Sequence, residues 1–170
     1  MSHKYNLYLT EHIENVIKAW NILDDNLNID FVSKYKLDSD KMSKIISNHD
    51  QSKYSKEEYD AYDEYFYGMK CKETKEKFEL AWLHHQNTNK HHWQYWLLKE
   101  DSGLLKPLDM DIYSIIEMVC DWWSFSLKQN KPLEIIKFYH DYESNRMLSN
   151  KTKITVMELL DTIKTIKTFD

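Results

Sequence analysis

Glycine and proline occur only twice each in this chain of 170 residues. These residues mark tight hairpins and break helices, and no segment shows sustained two-residue hydrophobic alternation, so a sheet-built fold is excluded and an all-α one is expected. Cys71 and Cys120 are the only cysteines and have no paired spacing, which leaves no disulfide framework. There is no secretory h-region and no apolar run long enough to span a bilayer, so a cytoplasmic protein with reduced thiols and no membrane partner is expected. The net charge is -5 and the basic residues are spread along the chain, which argues against duplex nucleic acid as a partner. Arginine is nearly absent. Arg146 is the sole example in a chain rich in Lys, Asn and Ile, a bias read as that of an AT-rich genome.

What the chain does have is apolar and aromatic. Hydrophobic residues reach 42% and aromatics 14%, a globular composition, and the length suits one domain that needs no staple. Residues 1–170 read as a single helical domain, with a core over about 10–128 and C-terminal helices over 132–170. No repeat, low-complexity tract or linker divides it.

Periodicity predicts a first helix from about Thr10 to Asp25, with Ile13, Val16, Ile17 and Trp20 on its apolar face. A second begins near Ser39 and puts Met42, Ile45, Ile46 and His49 on one stripe. Ser55 and Glu58 have the form of a capping box, so a further helix is expected to start there and carry Tyr59, Tyr62 and Phe66. Another helix covers roughly Thr74 to His85, and Asn87-Thr88-Asn89 is expected to break it before a helix through Trp93 and Trp96. Asp111 reads as the cap of a long helix containing Asp121. Pro132 suits the first turn of the next, and Thr155 with Glu158 reads as a capping box for a last helix docking Leu159, Ile163 and Ile166.

Along this framework runs a series of metal-grade ligands: His12, His49-Asp50, His84-His85, His91-His92 and Asp121. Imidazole combined with carboxylate suits iron, manganese, nickel, cobalt or zinc, whereas calcium and magnesium prefer oxygen alone. One or two divalent transition-metal ions are therefore expected. Asp121 shares a face with Glu117, Met118 and Phe125, where a carboxylate is costly to bury without a partner. Adjacent histidines cannot all face one point on a regular helix, so one of each pair is expected as ligand and the other as a supporting or substrate contact. Spacing does not rank His84 against His85, or His91 against His92. Lys53, within a turn of His49-Asp50, offers a point charge for a phosphate oxygen. Trp93, Tyr95, Trp96 and Trp122-Trp123 can stack on a nucleobase, but aromatics at helical spacing are more often core, and core is the reading taken. The cysteines and serines have no recognisable catalytic context.

The order His, His-Asp, His, His, Asp on an all-helical chain resembles the HD-domain superfamily of metal-dependent phosphohydrolases. His49-Asp50-Gln51-Ser52-Lys53 is similar to that family's His-Asp-x-x-Lys signature, whose lysine often helps to bind or activate phosphate. His49 through Glu58, His84 through Trp96 and Glu117 through Trp122 are also similar to a group of small HD-like proteins of bacteria and phages, a likeness spanning His12 to Trp123. The resemblance implies a first metal among His12, His49, Asp50 and Asp121, with Asp50 bridging to a second held by histidines of the 84-85 and 91-92 pairs. Those pairs are closer together than in many two-metal members.

The activity so implied is hydrolysis of a small phosphorylated substrate, a nucleotide being the leading candidate. Asp50, Lys53 and Glu117 are the expected catalytic residues: Lys53 holds a non-bridging oxygen, while Glu117 or a spare histidine moves protons to the leaving group. Two rivals stand beside this expectation. HD-like scaffolds can carry two irons and activate dioxygen with nearly the same ligands, and a non-catalytic metal-binding or regulatory protein would keep the same scaffold.

Overall fold

The computed structural model describes residues 3–166. Among them are eight α-helices and one two-stranded sheet, an all-α architecture. The expected domain limits of 1–170, and the end of the stretch 132–170, run beyond the described residues.

Helix α1 (His3–Asp24) buries Tyr5, Leu9, His12, Val16, Ala19 and Leu23, a stripe at alternating spacings of four and three. It starts two turns before the expected Thr10 because Tyr5 and Leu9 extend that stripe. Tyr5 and Leu9 join a small cluster with Tyr59, Tyr62 and Ala81, whereas Val16, Ala19, Trp20 and Leu23 belong to the main core. His12 lies between the two. The main core also holds Trp123, Met118, Ile135, Leu159 and Ile163, and burying each such side chain contributes roughly 1.5–3 kcal/mol.

A short helix α2 (Ile29–Tyr35), which periodicity did not reveal, follows, capped by Asn28 Oδ1 on the Phe31 amide at 2.8 Å. Helix α3 (Ser39–Ser47) begins where expected, with the Asp38 side chain as its cap, and brings His49 to its end. The Ser55–Glu58 capping box does not form. Helix α4 (Tyr59–Tyr67) starts only after Glu58, whose side chain is fully buried on other work. Helix α5 (Lys72–Thr88) runs through the expected break at Asn87-Thr88, because Asn89 closes it one turn later by donating from Nδ2 to the His85 carbonyl at 2.9 Å.

Trp93–Trp96 form one 3-10 turn and not a helix, and a hairpin follows that the scarcity of breakers argued against. Strands β1 (Leu97–Lys99) and β2 (Leu105–Pro107) pair antiparallel, with Gly103 at φ 85 serving their connection. Helix α6 (Ile112–Lys128) is capped as expected: Asp111 Oδ1 accepts from the Tyr113 and Ser114 amides at 3.0 Å. Packed along α1, α6 forms the spine of the molecule. Pro132 precedes α7 (Glu134–Asp141) instead of entering its first turn, and its carbonyl accepts from Trp123 Nε1 at 2.9 Å. Helix α8 (Asn150–Lys164) starts on Ser149 and docks Leu159 and Ile163 in the core. Thr155 and Glu158 lie inside it and bind Tyr35 of α2, so they form no cap. Among the described residues no helix is long and apolar enough to cross a membrane.

Candidate metal centre

Five segments converge where the two hydrophobic clusters meet. His12 comes from α1, Asp121 from α6 and His85 from α5, while His49-Asp50 and His91-His92 lie on the irregular stretches after α3 and α5. Asp50 sits in the left-handed region at φ 58, ψ 21, a conformation in which Asp is enriched over most residues. That reversal at the helix end lets two consecutive side chains reach one centre.

Both oxygens of Asp50 are engaged, in opposite directions. Oδ2 is 3.5 Å from His12 Nε2 and 3.4 Å from His49 Nε2, and Asp121 Oδ1 closes this group at 3.2 Å from His12 Nε2 and 3.7 Å from His49 Nε2. Oδ1 is 3.2 Å from His85 Nε2 and 3.5 Å from His91 Nε2, and His92 completes a second group. Nitrogens and oxygens bound about 2.1 Å from one tetrahedral ion stand roughly 3.4 Å from each other. The observed separations cluster there, beyond the shorter distances of strong hydrogen bonds.

The unsatisfied atoms tell the same story. Nε2 of His49, His85, His91 and His92 and Oδ1 of Asp50 are buried without a hydrogen-bond partner. Buried polar atoms are almost always satisfied, and exceptions gathered in this way, four in the second group and His49 Nε2 in the first, fit cations. Behind the ligand atoms the rings are tied down. His49 and His91 each donate from Nδ1 to Glu117 Oε1, at 2.9 and 3.1 Å, and His85 donates to Glu58 Oε2 at 2.7 Å. Ser124 Oγ lies 3.4 Å from His12 Nδ1. An imidazole held through its Nδ1–H presents the Nε2 lone pair outward, the arrangement that orients metal-binding histidines. Glu117, Asp121 and Ser124 share one face of α6 at spacings of four and three.

Two expected roles change. His84 lies outside both groups: its ring is 40% exposed and its Nδ1 bonds Glu58 Oε1 at 2.8 Å, because the helical phase of α5 turns it away from His85. Glu117, expected at the edge of the site moving protons, stands behind the cluster with its carboxylate occupied by two histidines. The 91-92 pair contributes both of its rings, since it lies on a turn and not on a regular helix. Glu58, whose Ser-x-x-Glu context reads as a cap, instead supports His85.

Charge in the cluster is strongly coupled. Burial opposes protonation of His49, but Asp50, Asp121 and Glu117 outweigh it and raise its pKa to about 10. Against the same burial, carboxylates raise His12 and His85 above the usual histidine range. Burial, with His91 and His85 nearby, drives His92 down to about 2. Asp50 and Asp121 are held far below the usual carboxylate range by neighbouring histidines despite burial. Metal ligation requires neutral imidazole, so a cation must displace the proton that His49 carries at neutral pH, against the carboxylates that favour protonation of His12 and His85 as well. Binding of zinc or manganese is expected to release protons, and apparent affinity to keep rising with pH until His49 loses its proton at about 10. Calorimetric titration in buffers of different ionisation enthalpy measures this directly, and zero proton release would contradict the ligand set.

Lys53 lies 2.7 Å from Asp50 Oδ2 and is 12% exposed. Burial opposes its charge, yet the Asp50 carboxylate raises its pKa. Both residues, with His12, His91, His92 and Asp121, form the polar side of a cavity of about 430 Å³. Phe66, Trp82, Trp93, Trp122, Phe125 and Phe138 supply its apolar walls. Trp123 is core, as expected of aromatics at helical spacing, and Trp93, Trp96 and Trp122 pack against that core half-buried, whereas Tyr95 is exposed; Trp93 and Trp122 also face this cavity.

A family model described as a family of unknown function (DUF5662) matches residues 1–162. No curated protein and no solved structure matches the chain.

Proposed function

The chain belongs to the DUF5662 family, and we propose that it is an HD-type, metal-dependent phosphohydrolase acting on a small phosphorylated molecule, with a nucleotide the leading candidate. The observation that carries this reading is Asp50, whose two oxygens face two histidine groups with unpartnered Nε2 atoms while Lys53 sits against it. His12, His49, Asp121 and Asp50 Oδ2 would hold one ion, and His85, His91, His92 and Asp50 Oδ1 the other. Bound there, divalent cations lower the pKa of a coordinated water toward about 7 and act as Lewis acids on phosphoryl oxygens.

The chain itself supplies position and exclusion. Lys53 is anchored by Asp50 and backed by the Tyr62 ring, its Nζ 5.6 Å from the ring centroid, so its remaining N–H groups are available to a non-bridging phosphoryl oxygen. Trp82, Trp93 and Phe125 give a flat apolar surface for the body of the substrate and keep bulk water from the reacting end. With a net charge of -5, the protein attracts an anion through this local cluster and not through a broad basic face.

The deciding experiment is elemental analysis of protein purified without chelator or affinity-tag metal, beside Asp121→Ala. About two ions per chain are expected, with the variant losing at least the ion of the first group. Loaded protein should then release phosphate from nucleotides under anaerobic conditions. A chain that takes up no stoichiometric metal even after reconstitution is not this enzyme. One observation favours a second reading: a group of three histidines and one carboxylate oxygen is rich in nitrogen and suits iron, as a di-iron oxygenase would require. Iron-dependent oxygen consumption without phosphate release would select it.

A further inference from the structure

Arg146 is the only arginine among 23 basic residues. In the fold it lines the same cavity as Asp50 and Lys53. Its guanidinium lies 4.5 Å from the ring centroid of Trp122 and 4.6 Å from that of Phe138, and Nη1 donates to the Tyr139 carbonyl at 3.2 Å. Trp122 and Phe138 also face the cavity. The backbone here is fixed on both sides: the Arg146 amide donates to the Glu143 carbonyl at 3.2 Å, Leu148 is buried and Ser149 caps α8. The side chain is therefore a braced fork and not a wandering surface group.

What it lacks is an anion. Among the described residues Arg146 makes no ion pair, whereas the acid three residues before it, Glu143, pairs with Lys153 at 3.8 Å. A guanidinium has five N–H donors, and the Tyr139 carbonyl accepts from only one nitrogen. Burial pulls its pKa down, and Tyr139 and Tyr142 offset that only in part. Stacking of this kind favours arginine over lysine, and a planar fork suits a carboxylate or phosphate through paired hydrogen bonds. Among the described residues Arg146 makes no ion pair with Asp50 or Asp121, the carboxylates that line the same cavity, and its guanidinium rests on Trp122 instead.

We infer that Arg146 docks a second anionic group of the substrate, a carboxylate or a further phosphate borne at the far end of an apolar body. This rests on the phosphohydrolase reading of the same cavity. The substrate class is thus a molecule with two anionic ends, one at Lys53 and the ligand cluster and the other at Arg146, with Trp122 and Phe138 bracing the second.

Phosphonates, which are not hydrolysed, test this on manganese-loaded protein by calorimetry. The probes are alkylphosphonates, ω-carboxyalkylphosphonates and α,ω-alkylbisphosphonates of increasing chain length. At one length a second anion should tighten binding by about tenfold or more, the scale of one charge-assisted hydrogen bond, and the better of the two dianionic series identifies the group. Arg146→Gln should abolish that advantage and leave alkylphosphonate affinity unchanged. Arg146→Lys, which keeps charge and length, should retain part of it, and carries the test if the glutamine variant melts early. Alkylphosphonate binding with no gain from a second anion at any length overturns the inference and leaves the phosphohydrolase reading standing. No binding of any phosphonate to the loaded wild-type protein overturns both.

Discussion

Asp50→Asn is expected to abolish stoichiometric metal binding at both groups and, on the proposed phosphohydrolase reading, to lower phosphate release by at least ~10³-fold, since on that reading several kcal/mol of transition-state stabilisation leave with the ions. The substitution preserves shape and changes only the chemistry of two atoms. A carboxylate offers lone pairs in both directions, toward His12 and His49 on one side and His85 and His91 on the other. An amide presents an oxygen to one group and N–H donors to the other, whichever way it is turned, so one ion loses a ligand and meets a donor instead. The bridging charge disappears for both. Lys53, 12% exposed, then loses the carboxylate 2.7 Å away, and breaking a buried pair in this way costs about 3–5 kcal/mol. The variant should therefore unfold at lower urea concentration even when both proteins are metal-free. Elemental analysis and urea titration read the two effects separately. A variant holding its full metal complement would remove Asp50 from the centre, whatever its activity.

The parts of this site that were legible in the sequence share a physical cause. His12 lies at a buried phase of α1 and His49 continues the apolar stripe of α3 just past its end, and a polar residue in register with such a stripe announces itself through periodicity. Asp121 announces itself in the same way, within the long apolar α6. His91 and His92 defeated that logic because they lie on a turn, where no period dictates which way a side chain points. Glu58 was hidden by a competing local pattern: a capping box predicts the same residue type at the same place, and only tertiary packing shows its carboxylate between His84 and His85. Arg146 had no local signature at all. Its setting is assembled from α6 and α7, so composition could register its rarity but not its place. The long helices α1 and α6 were visible for the reason His12 was, whereas α2 and the β1–β2 hairpin are too short to carry a period.

The carboxylates behind the ligands make a sharper prediction than the ligands themselves. Glu117 Oε1 accepts from His49 of one group and His91 of the other, so Glu117→Gln is expected to weaken both ions, by about 10–100-fold each. Glutamine keeps an acceptor oxygen at similar reach, so what is lost is the negative charge that makes the two imidazoles better donors to a cation. Glu58 reaches His85 alone among the ligands, its other oxygen being taken by the half-exposed His84. Glu58→Gln should therefore weaken only the second ion, and His84→Ala should change neither affinity by more than a few-fold. Competition with a chelator of known affinity, titrated for two sites, separates the three variants. Equal loss at both sites in Glu58→Gln, or loss at one alone in Glu117→Gln, would mean that the two histidine groups do not bind separate ions bridged by Asp50. The pattern expected instead, one charge serving two ions and another serving one, follows from the position of Glu117 on the inward face of α6, in line with Asp121 and between His49 and His91.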